Sequence, residues 1–433
     1  MSVIPAAIAE RFAAAMAEFA PFESAPGLAV AVSGGADSMA ACLMARDWAA
    51  ARGGSVLALT VDHRLRPESA AEAARVGVWM QKLGIAHRIA VWTEPRPACG
   101  IEAAARVARR RMLHRLCAEA GILHLIVAHH AGDQAETVLM RRARAGGDGT
   151  VRLGEAGMAD LEHWPRLREL RPCLGLTHAE LTAVCRAVGQ PWVEDSSNAS
   201  DAFERNRVRK ALAAAGESDR AALSSGIVAA RAGRTAAEAT LAGLAQAHVR
   251  LSADGLAWLD VRGLARARPE DGVRLIARLV QCVGGGAYPP RGRPAVRAAA
   301  AVLSGRPATL GHCVFSPVEG GGWVLVAHER RGLPSRAAGR WDGRFFCPPG
   351  AEPRYPATAT ERRAVADLRR GPGEPELSRR AAAAVPVTGS VDRVCAAVEV
   401  GYDRNRAPLR FAPVAGLTRA AFWLAPNPAD LIL

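Results

Sequence analysis

The chain has 433 residues, half of them apolar, with 56 Lys and Arg against 42 Asp and Glu, a net charge of +14. That length allows two or three domains with sizeable cores, and the basic excess favours a polyanionic partner. No apolar run nears the roughly 20 residues that span a bilayer, and none of the nine cysteines falls in a CxxC pair, which argues against a helical membrane protein, a zinc knuckle and a disulfide framework.

In chain order, Met1 to Ser24 scatters Glu10, Glu18 and Glu23 among alanines. It lacks the basic start and compact apolar block of a signal peptide, and reads as a surface helix of a cytoplasmic protein. A strand over Leu28 to Val32 then ends in Ser33-Gly34-Gly35-Ala36-Asp37-Ser38, followed by an alanine-rich helix. The turn lies where a helix N-terminus offers unpaired N–H groups to an anion. Two glycines let backbone approach a phosphate, and two serines add hydroxyl donors. Asp37 would repel phosphate unless a cation lies between them, which makes it a Mg²⁺ ligand candidate. No Gly-Lys-Ser/Thr follows, so this is not a Walker A loop.

Strand-like and helix-like segments alternate after the turn. Val56–Val61, Ala86–Val91 and Ile122–Ala128 read as strands; Pro67–Leu83, Ile101–Ala120 and Gly132–Ala145 read as helices, two of them closed by Gly84 and Gly121. The rhythm implies a parallel sheet with helices on both faces and a ligand crevice beyond the carboxyl ends of its strands. Ser33, Asp62 with His63, and His129 all fall at such ends. Glu102, Arg106 and Arg109 share one helix face. They are either a solvated stripe or a guanidinium pair aimed at phosphate or carboxylate. His129-His130-Ala131-Gly132-Asp133-Gln134-Ala135-Glu136 starts at a strand end and enters a helix. Its carboxylates either offset the helix dipole or bind an amine and accept its proton.

Thr177-x-x-Glu180 is a capping box opening a helix through Val188. A polar loop over Glu194 to Asn198 precedes the basic cluster Arg205-Asn206-Arg207-Val208-Arg209-Lys210, a solvated face or an RNA backbone contact. A long helix is expected from Ser218 to Arg250, then strand, two helices and a hairpin, Cys313–Val318 with Trp323–Ala327. Arg330 to Gly339 reads as a linker and Trp341 to Leu433 as a small domain of short strands. The fold expectation is α/β: a parallel-sheet catalytic domain over 1–215, then a helical connector with a smaller α+β domain over 216–330, and a second α+β domain over 331–433.

Taken in order, the glycine turn, Val61-Asp62-His63-Arg64-Leu65-Arg66, Ala105 to Arg110, His129 to Thr137, Arg171 to Thr177, and Asp195 to Asn198 with Arg205 to Lys210 resemble the tRNA(Ile)-lysidine synthase family of PP-loop ATP pyrophosphatases. The family usually carries a polar residue at the place of Gly132 and Tyr at the place of Arg110. The resemblance implies ATP and Mg²⁺ as cofactors, and an isoleucine tRNA with a CAU anticodon and free L-lysine as partners. It leaves a homodimer open. Adenylation of C2 of the wobble cytidine would be followed by attack of the lysine ε-amine, giving lysidine, AMP and pyrophosphate. Ser33, Gly34, Gly35, Ala36, Asp37, Ser38, Asp62 and His63 would bind the nucleotide, with Asp37 on the metal. His129, Asp133, Glu136, Arg106 and Arg109 would complete the catalytic set, and Arg205, Arg207 and Arg209 would face RNA. The rival readings are tRNA thiolation, which generally needs paired cysteines, and non-catalytic nucleotide or RNA binding, which needs no acidic set.

Overall fold

The computed structural model describes residues 4–329 apart from 66, 95–99, 145–156, 165–166, 195–207, 209–211, 213, 215, 252–254, 287 and 319; beyond that it describes 336–337, 340–341, 345–346, 362, 387–388, 395–396 and 410–411. Two compact units divide the chain between Thr235 and Ala236.

The first unit runs α1 (Ala6–Ala17), β1 (Gly27–Ala31), α2 (Ala36–Ala50), β2 (Ser55–Asp62), α3 (Ser69–Lys82), β3 (Ala86–Val91), α4 (Ile101–Glu119), β4 (His124–Val127), α5 (Ala131–Arg144), β5 (Leu161–Trp164), β6 (Leu167–Leu170) and α6 (His178–Ala187). Its sheet has the order β3-β2-β1-β4-β6-β5, parallel except for β5. β1 lies at the middle, and its Leu28, Ala29 and Val30 are fully buried, as a strand covered on both faces requires. The strands go outward from β1 to β3, then restart at β4 on the other side. The loops after β1 and β4 therefore open side by side, the arrangement that makes a crevice in open α/β sheets.

The sequence expectation of a parallel sheet with flanking helices holds, and the structure adds two details. The N-terminal surface helix docks firmly by one face: Ile8, Phe12 and Met16, at i, i+4 and i+8, are buried in the main core, while Ala7, Glu10 and Arg11 are exposed. The β5–β6 hairpin lies in a stretch, 159–170, to which the sequence pattern assigns no element. Arg168 is only 1% exposed. Its Nε donates to His124 Nδ1 (2.9 Å), its Nη1 to the Phe19 carbonyl (2.6 Å) and its Nη2 to the Pro21 carbonyl (2.5 Å), while Glu23 accepts from His124 Nε2 at 2.7 Å. A buried cation persists only when its donors are matched in this way.

A long helix, Glu217–His248, spans the boundary between the units. The second unit has an antiparallel sheet of β7 (Val249–Leu251), β8 (Ala257–Asp260), β9 (Ala308–Leu310), β10 (Cys313–Pro317) and β11 (Trp323–His328), in the order β7-β8-β11-β10-β9. The β10–β11 hairpin matches the expected one within a residue at each end. Helices Pro269–Gly284 and Gly292–Leu303 contribute Leu275, Leu279, Val283 and Val302 to a core shared with Phe315 and Val326. Further on, strands Arg336–Ala337, Arg340–Trp341, Phe345–Phe346 and Arg410–Phe411 form one antiparallel sheet.

Candidate active site

The turn between β1 and α2 is built for close approach. Gly34 has φ +91°, open to glycine, and a Cβ there would come within 2.9 Å of Val76 Cγ2. Its carbonyl accepts from the Val193 N–H at 2.9 Å. Ser38 Oγ accepts from the Ser33 N–H (3.1 Å), lies 3.2 Å from Ser33 Oγ and donates to the Gly35 carbonyl at 2.9 Å. Gly35 is the N-cap and has no side-chain bond to the first turn. The leading N–H groups of α2, from Ala36 to Ser38, are therefore those that a helix leaves to an anion.

Asp37 stands on that first turn, partly exposed. Its Oδ1 is 2.8 Å from His178 Nδ1 and its Oδ2 is 3.7 Å from His130 Nε2. His130 Nε2 is also 3.6 Å from Asp133 Oδ2, and the His130 N–H donates to that oxygen at 3.0 Å. His130 thus stands between the acidic residue of the glycine turn and the acidic residue of α5. Donor atoms of Asp37, His130 and His178 all lie within 4.8 Å of one another, close enough for a metal. However, the Gly132 N–H donates to His130 Nδ1 at 2.9 Å, which leaves the ring proton on Nε2. That proton faces the carboxylates, so His130 does not offer Nε2 as a metal ligand. Asp37 keeps hard oxygen donors suited to Mg²⁺. Gly132 has its own reason for lacking a side chain: a Cβ would lie 2.6 Å from His130 Cε1.

Asp133 and Glu136 are both buried. Gln134, between them, clamps Met158 through its amide in both directions, at 3.0 and 2.6 Å. Arg141 and Arg234 hold the Gly157 carbonyl at 2.6 and 2.9 Å. Asp62, at the end of β2, is buried; its Oδ1 accepts from the Arg64 N–H at 2.8 Å and from the Ser69 hydroxyl. Burial, and then the charge of Arg109, push the His63 imidazolium below the ordinary histidine range, against the pull of Asp62. Arg109 thus acts on the β2 end, whereas Arg106 is exposed. Arg205, Arg207 and Arg209 lie outside the described residues.

Sequence reasoning missed the buried support beneath His129. Arg171 Nε donates to His129 Nδ1 at 3.2 Å, its Nη1 to the Ala159 carbonyl at 2.8 Å, and its Nη2 to Glu162 and Glu169, each at 2.9 Å. Glu169 also accepts from His114 Nε2 (2.8 Å) and pairs with Arg110 Nε (3.1 Å). Arg110, where the family usually has Tyr, is stacked over Trp164 at 4.9 Å and serves this cluster. The Arg-Pro of the 171–177 string was the only signal, and no spacing linked it to His129. His178 was missed too, since its partner Asp37 is 141 residues away.

Burial alone would raise the Glu169 carboxyl; the His114 bond and the charges of Arg110 and Arg171 outweigh it and hold the group at about 2, from 4.5. A depressed carboxylate stabilises the fold above its unfolded pKa and loses that contribution as pH falls through its folded value. Glu169→Gln is therefore expected to cost on the order of 3 kcal/mol near neutrality. In thermal unfolding, the gap to the parent should close from pH 4.5 down to about 2. A gap that is constant with pH would refute the assignment.

Burial shifts five of the described cysteine thiols away from the thiolate form. Burial pushes Cys42, Cys117 and Cys282 up to about 12 and Cys185 up to about 11, and Cys173 is raised as well. Protonated, buried thiols are inert toward sulfur transfer.

Residues 6–215 match the model of the PP-loop domain family. The chain is 37% identical over 332 residues to the tRNA(Ile)-lysidine synthase of Rhizobium meliloti (strain 1021), covering 73% of this chain and 72% of the relative. It is 40% identical over 295 residues to that of Bradyrhizobium sp. (strain BTAi1 / ATCC BAA-1182), covering 65% and 79%. Among solved structures it is similar to the U34-tRNA thiolase NcsA from Methanococcus maripaludis, at TM-score 0.43 and 15% identity over 52% of this chain and 78% of that one. A likeness of that size says nothing of function. Among the described residues no helix is long and apolar enough to cross a membrane. With a PP-loop domain at its N-terminal half and relatives matched across most of their length, the chain belongs to the tRNA(Ile)-lysidine synthase family.

Proposed function

We propose that the chain joins L-lysine to the wobble cytidine of an isoleucine tRNA with a CAU anticodon, using ATP. The observation that carries this reading is the crevice at the β1/β4 switch point. There the anion-binding turn and the carboxylates of α5 meet across His130. An anion cradle beside buried carboxylates suits a reaction that first activates an oxygen with ATP and then admits an amine.

The cytidine C2 carbonyl oxygen attacks the α-phosphorus of ATP, and pyrophosphate leaves. The lysine ε-amine then attacks C2, the C2–O bond breaks, AMP departs with the oxygen, and the amine proton is lost. Residues 33–38 with Asp62 and His63 would hold the nucleotide. Asp37 would hold Mg²⁺, which neutralises phosphate charge when bound. Asp133 and Glu136 would receive the ammonium and its proton. Arg106 or Arg109 would meet phosphate or the amino acid carboxylate, and 1–215 would form the catalytic domain, with 216–330 and 331–433 gripping tRNA.

The test is transfer of labelled lysine in the presence of ATP and Mg²⁺ to the CAU isoleucine tRNA or to methionine tRNA. Label entering only the first is expected; no transfer, with or without ATP hydrolysis, would overturn the reading.

The second unit supports an RNA contact of its own. Between Asp271 and Glu319 the sequence has no acidic residue. Arg291, Arg293 and Arg297, at the start of the helix Gly292–Leu303, are exposed. Beside them Tyr288 is 79% exposed. Exposed guanidiniums suit phosphates, and an exposed ring suits a base. Replacing the three arginines by alanine should weaken tRNA binding and lower the slope of log affinity against log salt by about 2 to 3. An unchanged slope would remove this face from the contact.

A further inference from the structure

We infer that Arg171 is a positioning residue for His129, holding its ring in the Nε2–H tautomer, so that His129 works as a hydrogen-bond donor and not as the base. The inference rests on the proposed reaction for its role and on the geometry for its chemistry. A guanidinium has five N–H donors, no acceptor, and no deprotonated form in proteins. The bond from Arg171 Nε to His129 Nδ1, at 3.2 Å, therefore has a single polarity: Nδ1 presents its lone pair, and the ring proton is on Nε2.

Arg171 cannot turn away to relax this. Its side chain is 4% exposed, and Nη2 is shared by Glu162 and Glu169 while Nη1 is held by the Ala159 carbonyl. Glu169 is itself fixed by His114 and Arg110. A second proton on His129 would set N–H against N–H, at the cost of the Arg171 bond. The ring is thus a poor acceptor for an amine proton, and Nε2–H cannot bond an ammonium. It fits an anionic oxygen, such as the α-carboxylate of an amino acid. The proton of the amine is left to the carboxylates of Asp133 and Glu136.

The experiment uses the full chain with ¹⁵N-labelled histidine, the His129 signals being assigned by loss in His129→Gln. The parent should show an unprotonated Nδ1 and a protonated Nε2. Arg171→Lys keeps the charge beside Glu169 but lacks the fork, and should give a mixture of tautomers. Its lysine transfer should fall at least about tenfold, the usual scale for losing a partner that orients a histidine. Its ATP–pyrophosphate exchange should stay within about twofold of the parent, since no bond of Arg171 reaches the glycine turn. A protonated Nδ1 in the parent, an unchanged tautomer in the variant, or exchange falling in step with transfer would each overturn the inference. If Arg171→Lys does not fold, the tautomer of the parent ring decides alone. A parent that shows the Nε2–H ring yet transfers no lysine would overturn the proposed reaction while upholding the Arg171–His129 pairing.

Discussion

Asp37→Ala is expected to abolish adenylation, with tRNA-dependent ATP–pyrophosphate exchange falling by about a hundredfold to ten-thousandfold, the scale of losing several kcal/mol of charge stabilisation at a phosphoryl group. Three features argue for this. Asp37 is on the first turn of α2, beside the N–H groups left open by the uncapped Gly35. A carboxylate there can face bound phosphates without repelling them only with a cation between. Its protein contacts are with His178 and His130, and the former is exposed, so removing Asp37 strands little buried charge. The variant should therefore fold with a near-parental melting temperature. Asp37→Asn keeps the shape without the charge and should fall nearly as far. Exchange that stays within about tenfold of the parent would show that the metal is held elsewhere.

Asp133→Ala should split the two half-reactions. Lysine transfer is expected to fall by about a hundredfold to ten-thousandfold, the range for losing a positioned acid–base group, while pyrophosphate exchange remains within a few-fold. The residue lies on α5, across the crevice from the glycine turn, and is buried. Its Oδ2 also accepts the His130 N–H, and losing that bond costs roughly 1 kcal/mol, as for a helix cap. Asp133→Asn can keep the bond and separates this structural part from the chemical one. Were lysine transfer intact in either variant, the amine site would have to be sought away from α5.

What could be read from the chain was what is local. A strand, a glycine turn and a helix announce themselves within a dozen residues, and the alternation after them carries the parallel sheet. Charged residues that are buried in pairs were opaque. Arg168 and Glu169 look like a surface loop, because charge is ordinarily a mark of the exterior. Only the fold brings His124, the Phe19 and Pro21 carbonyls, His114 and Arg171 to them. Phe12 and Met16 were passed over because alanines dilute the apolar stripe of α1. The alternation brings the glycine turn, Asp62 and His129 to one crevice, but it does not give the approach of Asp37 to His130. Asp37 and His130 approach each other because the strand order reverses between β1 and β4, and no spacing in the sequence encodes that reversal.

The clasp of Arg168 on Phe19 and Pro21 joins groups 149 and 147 positions apart. Arg11 likewise reaches the Gly175 carbonyl and Glu180. On a ribosome Arg11, Phe19 and Pro21 therefore emerge well before Arg168, Gly175 and Glu180, their polar partners. β1 can pair with β2 early, but its other neighbour, β4, comes later, and α1 has no polar anchor until β6 and α6 have been made. The polar anchoring of α1 is thus completed only after β6 and α6 have been made. Until then Phe12, Met16 and Phe19 are held by apolar packing alone.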